Sequence, residues 1–318
     1  MSEVSLQERV QSSTQGQQVD DAMRTKRWRT DLAGWGFVLP FLIFYVLFLV
    51  WPFINGLRMS LFNWSITGNG SSDFLGLGNY QELFSDPFFW KALGVTLLFT
   101  VLSTPLLVLL GLGLALLVNR NLPARWLFRT IFFASFVLPV SVVALTWNWL
   151  YQPGFGLINS MLTSLGLQEV GWLSDPNVAL ISVVILTVWW TVGFNFVLYL
   201  AGMQQIPQEL HEAAAIDGAN EWARIRQITI PLLNRTTALI LVLQVIASLL
   251  VFNQAYTLFN AGTGPAFATQ GVVQYVYRVG FSSFRLGLAS AMSYVLFILI
   301  LIVSIAQFWI VTRQRRDA

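Results

Sequence analysis

The chain has no cysteine, one histidine and two lysines in 318 residues. Lacking cysteine, it can form neither disulfides nor thiolate metal sites, although that says little about compartment. Charge is scarce too: 10% of residues are Asp, Glu, Lys or Arg, against about 25% in a soluble domain. Neither Lys26 nor Lys91 stands in a Gly-x-x-x-x-Gly-Lys-[Ser/Thr] setting, so the chain has no P-loop and cannot bind ATP by that route.

In place of charge there is apolar sequence, 56% of the residues, with a mean hydropathy of +0.65. Runs near 34–57, 92–118, 130–150, 178–202, 236–259 and 287–311 approach or exceed the roughly 20 residues a membrane-crossing helix needs. An all-α membrane protein with six transmembrane helices is the expectation. Pro139 interrupts the third run and Pro105 lies in the second; each reads as a packing kink or a gating hinge. If both termini are cytosolic, the inside segments hold Arg9, Arg24, Lys26, Arg27 and Arg29, then Arg120, Arg125 and Arg129. Further inside residues are Arg224, Arg226 and Arg235, then Arg313, Arg315 and Arg316, while outside stand only Arg58, Lys91, Arg278 and Arg285. This positive-inside bias sets the orientation and explains the pI near 9.4 with no nucleic-acid partner.

Residues 1–30 read as a flexible cytosolic tail whose Arg24, Lys26, Arg27 and Arg29 grip the lipid surface. The first apolar run is too long for a signal-peptide core and has no small-residue cleavage pattern, so it is retained. Residues 31–318 then form one membrane domain, its core at about 90–312. The stretch 58–91 contains a loop at Gly68, Asn69, Gly70, Ser71 and Ser72, a short surface helix from Asn79 to Phe84, and a helix start at Asp86-Pro87. A short basic loop, Asn119 to Arg129, makes spans two and three antiparallel neighbours. Residues 152–177 form an external loop with one short helix near Ile158 to Leu165, and 260–286 another that opens with Gly262, Gly264 and Pro265.

Between the fourth and fifth runs lies a polar insert, about 206–231. Pro207 suits a helix start, with Glu209 and Glu212 at the positive end of the dipole. Gly218 permits a sharp turn. A second helix puts Trp222, Ile225 and Ile228 on one side and Glu221, Arg224 and Arg226 on the other, and Pro231 opens the fifth span.

The insert reads Glu212-Ala213-Ala214, three residues, Gly218, nine residues, then Ile228-Thr229-Ile230-Pro231. It resembles the signature of the permease subunits of binding-protein-dependent ABC importers, Glu-Ala-Ala, three residues, Gly, nine residues, Ile-x-Leu-Pro, with Ile230 in place of Leu. Phe74 to Tyr80, continuing from Phe84 to Leu93, resembles the external segment of carbohydrate-importer permeases of the maltose and glycerol-phosphate type. Within those it is similar to the first permease of the pair in its shorter six-span form. Leu258 to Pro265 resembles a Leu-Thr-Asn-Gly-Gly-Pro loop of the same group, departing by one inserted residue and by Phe259 for Thr. The resemblance covers roughly 34–312.

It implies the type I importer fold and a transport subunit that is not an enzyme, in a bacterial or archaeal cytoplasmic membrane. The implied partners are a second permease subunit, two ATP-binding subunits that hold ATP and Mg, an extracytoplasmic solute-binding protein and a sugar. Glu212 to Gly218 would be the coupling helix that docks into an ATPase cleft. Ala213 and Ala214 allow close approach, the carboxylates of Glu212 and Asp217 meet basic residues, and Ile228 and Pro231 complete the motif. ATP-driven closure of the ATPases would drive alternating access.

Cargo sites in transporters lie near the bilayer midplane. The fourth span offers Thr187, Trp190, Thr191 and Phe194 on one face with Asn195 beside them, and the fifth offers Gln244, Asn253, Gln254 and Tyr256. Neutral hydrogen-bonding groups beside aromatic rings suit a sugar. The other reading of these residues is interhelical hydrogen-bond glue, and the partner permease alone sometimes holds the cargo. No pocket cation is present to pair with a phosphate, which leans toward a neutral di- or oligosaccharide over glycerol phosphate or a polyol. An ion-coupled transporter would need a buried Asp, Glu or His in a span, and none of the six has one, His211 being in the insert. An intramembrane enzyme lacks its Cys, His pair or paired carboxylates.

Overall fold

The computed structural model describes residues 35–65, 73–119 and 125–314, with side chains to 310. The expected tail at 1–30, the loop residues Gly68 to Ser72, Arg120, Arg315 and Arg316 lie outside the described residues. The chain divides into two units, Met1–Arg58 and Met59–Ala318. The first contains the bulk of helix α1, Trp35–Ser60, which is long and apolar enough to cross a membrane.

The second unit is helical throughout its described residues, with only isolated bridges pairing Phe62 with Phe74 and Ser65 with Arg285. Its elements are α2 (Gly78–Ser85), α3 (Pro87–Val118), α4 (Arg125–Val137), α5 (Val140–Leu150), α6 (Leu157–Ser164) and α7 (Pro176–Gln204). There follow α8 (Gln208–Ile216), α9 (Glu221–Leu232), α10 (Asn234–Leu249), α11 (Asn253–Leu258), α12 (Val272–Tyr277) and α13 (Leu286–Gln314).

The long spans α3 and α7 start in the same way. Asp86 Oδ1 accepts from Phe88 N and Asp175 Oδ1 from Asn177 N, each at 2.9 Å, and a proline fills the first turn of both. The aspartate covers an orphan N–H, and proline has none to leave bare. The Asp86-Pro87 start was legible in the sequence; Asp175-Pro176 carries the same signal inside a stretch read as loop. Pro105 sits within α3 without breaking it.

Four described helices, α1, α3, α7 and α13, are long and apolar enough to cross a membrane, and the two remaining expected spans correspond to bent helix pairs. The third is α4 and α5, meeting at 94° around Leu138-Pro139. Proline lacks the N–H and clashes with the preceding turn, and it disfavours helical backbone at Leu138. The fifth is α9 and α10, meeting at 60°. Pro231 does not open this span: it lies in the last turn of α9, and the bend follows at Leu233. Nor does the span run to 259. It ends at Leu249, Phe252 leaves helical backbone at φ −148°, and α11 is a separate helix packed on α5. Nothing in Leu250-Val251-Phe252 is a local stop signal; beyond the break α11 is tied to α5, Asn148 Nδ2 donating to Leu258 O at 2.7 Å. Loop 260–286 also contains an unanticipated helix, α12, continued by one wide turn, Arg278–Ser282.

Close packing sets α4, α7 and α3 together. Gly111 faces Asn195, where a Cβ would come within 2.8 Å of its side chain, and Gly193 lies against Phe132, where a Cβ would stand 2.0 Å from the carbonyl oxygen. Leu107, Ala115, Phe196, Tyr199 and Ile240 are almost fully buried nearby. Around the N-termini of α3 and α13, polar ties fix the loops. Arg285 donates two bonds of 2.6 Å to Glu82, Tyr275 bonds Asp86, and Lys91 Nζ reaches Ala266 O at 2.7 Å. Arg285 holds the Glu82 carboxyl below its ordinary value. The Tyr275 hydroxyl is pushed up to about 12, by burial first and then by Asp86.

Candidate functional site

The middle of α7 faces the middle of α3 across a cavity of about 270 Å³. α7 contributes Thr187, Thr191 and Phe194, α3 contributes Phe99, Ser103 and Leu107, and α4 contributes Phe136. The wall is completed by Leu243, Gln244, Ala247 and Ser248 of α10 and by Gln254 of α11. Phe136 and Phe194 stack at 5.1 Å and 27°. No charged residue lines the space.

Four of the eight side chains expected at a cargo site thus meet here: Thr187, Thr191, Phe194 and Gln254. Gln244, noted on the same span, is among them. The other four do not line this cavity. Trp190 donates its Nε1–H to Leu138 O at 3.1 Å, covering the carbonyl freed by the α4–α5 break. Asn195 is fully buried, and its Oδ1 accepts from Gln244 Nε2 at 2.8 Å, which makes it interhelical glue that steadies a lining residue. Asn253 is exposed. Tyr256 belongs to an aromatic group with Phe252 at 5.0 Å and Tyr277 at 5.5 Å. Ser103, Ser248 and Phe136 were missed. Ser103 had a signal, since Thr96, Thr100, Ser103 and Thr104 recur at helical spacing in an apolar span.

A larger cleft of about 340 Å³ lies where the end of α5 meets residues 170–174 and 258–260. Its lining includes Asn148, Gln152 and Trp172 but none of the sequence-predicted cargo residues.

At the C-terminal end of α7 the insert forms the two expected helices, α8 and α9. Gly218 N donates to Ala215 O at 3.1 Å and Ala219 N to Ala214 O at 2.8 Å. With Gly218 at φ +82° this is a Schellman cap, in which the left-handed residue lets the chain reverse onto the orphan carbonyls. Asn220 Oδ1 then caps α9 through Ala223 N at 2.8 Å. Helix α8 starts one residue after Pro207, and Gln208 Nε2 holds Glu212 Oε1 at 2.8 Å. Glu212, Ala213, Asp217 and Gly218 are exposed and Ala214 is half-buried. Beside them Ile216 is 88% and Trp222 67% exposed, an apolar surface on a polar bracket. Ile225 and Ile228 are half-buried while Trp222 is not, so the expected apolar side of α9 is only partly covered. Ile228 lies in a widened turn, Ile225–Thr229, and Pro231 follows it, exposed.

Comparison with known proteins adds identity to this geometry. A probable ABC transporter permease protein, YurN, of Bacillus subtilis (strain 168) is 36% identical over 275 residues, 85% of this chain and 93% of its own. The trehalose/maltose transport system permease protein MalF of Thermococcus litoralis is 35% identical over 301 residues, 94% of this chain and all of the relative. Among solved structures, a bacterial alginate ABC transporter in complex with an alginate pentasaccharide-bound periplasmic protein superposes with a TM-score of 0.78 at 26% identity. That match covers 89% of this chain and 94% of the other. Residues 107–316 match the family described as binding-protein-dependent transport system inner membrane component. More than half of the chain lies in that match, which spans the cavity's α7 and α10 walls and the whole Glu212 to Pro231 insert: the chain belongs to this family, the permease subunits of ABC importers.

Proposed function

We infer that this chain carries a sugar across a bacterial or archaeal cytoplasmic membrane by alternating access, as one half of a permease pair driven by two partner ATPases. The observation that carries the reading is the pairing of an uncharged, aromatic-floored cavity at mid-span with an exposed bracket at the C-terminal end of the same helix. Stacked Phe136 and Phe194 offer a face to sugar C–H groups, and the hydroxyl and amide side chains around them meet its edge. The trehalose/maltose and alginate systems, by their names, handle carbohydrate.

In this reading the bracket, Glu212 to Gly218 with Ile228 and Pro231, receives the ATPase. Ile216 and Trp222 supply apolar contact, and Glu212 and Asp217 meet cations. ATP and Mg reside on the ATPases, since this chain has no P-loop. A solute-binding protein delivers cargo on the opposite side, a role supported by the binding-protein complex of the alginate relative. Both termini and the bracket are cytosolic by the positive-inside count.

The test is uptake of labelled maltose, trehalose and lactose into proteoliposomes that contain the complete importer. Uptake requires ATP inside and binding protein outside and is indifferent to a proton ionophore. Ionophore-sensitive uptake without ATP would establish an ion-coupled transporter instead.

A further inference from the structure

The polar groups around the cavity are not equivalent, because most have already spent their hydrogens. Ser103 Oγ donates to Phe99 O at 2.7 Å, Thr187 Oγ1 to Val183 O at 2.8 Å and Thr191 Oγ1 to Thr187 O at 2.7 Å. Ser248 Oγ donates to Val245 O at 3.0 Å and stands 3.5 Å from Thr104 Oγ1. In a membrane span such back-bonds satisfy hydroxyls that water does not reach. Gln244 gives one of its two amide hydrogens to Asn195, and among the described residues its Oε1 accepts no hydrogen bond. What the four hydroxyls keep for a guest is oxygen lone pairs, whereas Gln244 keeps its Oε1 and the second of its two N–H groups. Gln254 is the lining residue whose amide donates to no acceptor among the described residues.

We propose that this cavity selects its cargo by hydrogen-bond direction: it takes neutral polyhydroxylated sugars whose own O–H groups donate, and it rejects phosphorylated, sulfonated or carboxylated ones. The proposal rests on the sugar reading above and sharpens it. A carboxylate or phosphate brings only acceptors. Set against Ser103, Thr187, Thr191 and Ser248, it would have to pull hydroxyls off their carbonyls, or stand unpaired where no lining cation compensates. A sugar hydroxyl donates to those same oxygens without disturbing them. Gln254, from the short helix beyond the break after Leu249, is the place where a cargo acceptor, such as a ring or glycosidic oxygen, is received. A site of this kind discriminates sharply against analogues that lack the donor, because its buried acceptors are then left bare.

The experiment measures direct binding to the complete importer in nanodiscs without solute-binding protein, so that only the membrane cavity reads the ligand. The probes are maltose, trehalose, lactose and raffinose, then, for the best neutral ligand, its 6-phosphate and its 6-deoxy-6-fluoro derivative. Fluorine preserves size and removes the donor. The neutral sugar is expected to bind at least tenfold more tightly than the phosphate and about three- to tenfold more tightly than the fluoro form. Thr191→Val, which keeps shape and removes the oxygen, weakens the neutral sugar about three- to tenfold and leaves the phosphate unchanged. Equal binding of sugar and phosphate, or of hydroxyl and fluoro forms, overturns the proposal using the unaltered protein alone. Failure of every neutral sugar to bind a folded complex overturns the sugar reading itself, a distinct result.

Discussion

Replacing Gly218 separates a conformational demand from a steric one. A Cβ at this position meets nothing within 4 Å, so a side chain costs only the left-handed backbone at φ +82°. That penalty is about 1 kcal/mol for alanine and about 3 kcal/mol for a β-branched residue, while asparagine tolerates the region. The cap opposing it consists of two exposed backbone bonds, from Gly218 N and Ala219 N, together worth about 2 kcal/mol. The reversed turn is then about 97% formed with glycine, about 85% with alanine and about 15% with valine. If the ATPase docks only on the formed turn, Gly218→Ala and Gly218→Asn bind it within about twofold of the natural protein. Gly218→Val binds about sixfold more weakly. The assay is titration of the purified ATPase subunits onto the permease pair in nanodiscs, followed by ATP-dependent uptake. Valine binding as tightly as glycine would refute the docking role of this turn; asparagine failing as badly as valine would refute the backbone argument.

Other substitutions isolate other parts. Gly193→Ala drives a methyl to 2.0 Å from Phe132 O and is expected to cost about 1–3 kcal/mol in thermal unfolding, whereas Gly94→Ala, inside α3 with open space around it, is expected to raise stability by about 0.5–1 kcal/mol. Trp190→Phe uncovers the Leu138 carbonyl and lowers stability by about 1–2 kcal/mol, with sugar affinity retained in the same preparation; lost affinity at unchanged stability would return Trp190 to the cargo site. Glu82→Gln removes a solvated pair worth about 0.5 kcal/mol. Because Arg285 depresses the Glu82 carboxyl, its stabilisation is present above the ordinary value of 4.5 and fades as pH falls through the lowered one. The melting difference between the two proteins should therefore vanish in acid and persist at neutral pH.

Local signals were read well from the sequence, and long-range ones were not. Hydropathy located the six apolar runs, and the Asp86-Pro87 start and the Gly218 turn depend on residues next to each other. The Glu-Ala-Ala-to-Pro231 spacing identified the bracket because it is contiguous. The helix break after Leu249 is not legible because no local stop signal marks it, and the contact that ties the following helix, Asn148 on Leu258 O, spans 110 residues. Trp190 and Asn195 were placed on the correct helix, but their partners, Leu138 and Gln244, come from other spans. One helix cannot reveal whether a polar side chain faces guest or neighbour. Pro139 announces a break but not its 94° angle, and the close approach of Phe132 to Gly193 across α4 and α7 joins residues far apart in sequence.

The bend at Leu233 makes the α9–α10 pair a crank. Its short arm ends in the exposed bracket, and its long arm carries Gln244 and Ser248 into the cavity wall. Gln244 lies eleven residues past the bend, about 16 Å along the axis. A swing of about 10° at Leu233 displaces it by about 3 Å, roughly the length of one hydrogen bond. One continuous piece of backbone thus joins bracket to cavity wall, and in the proposed function a movement imposed at the bracket would reach the cavity without passing through any intervening relay.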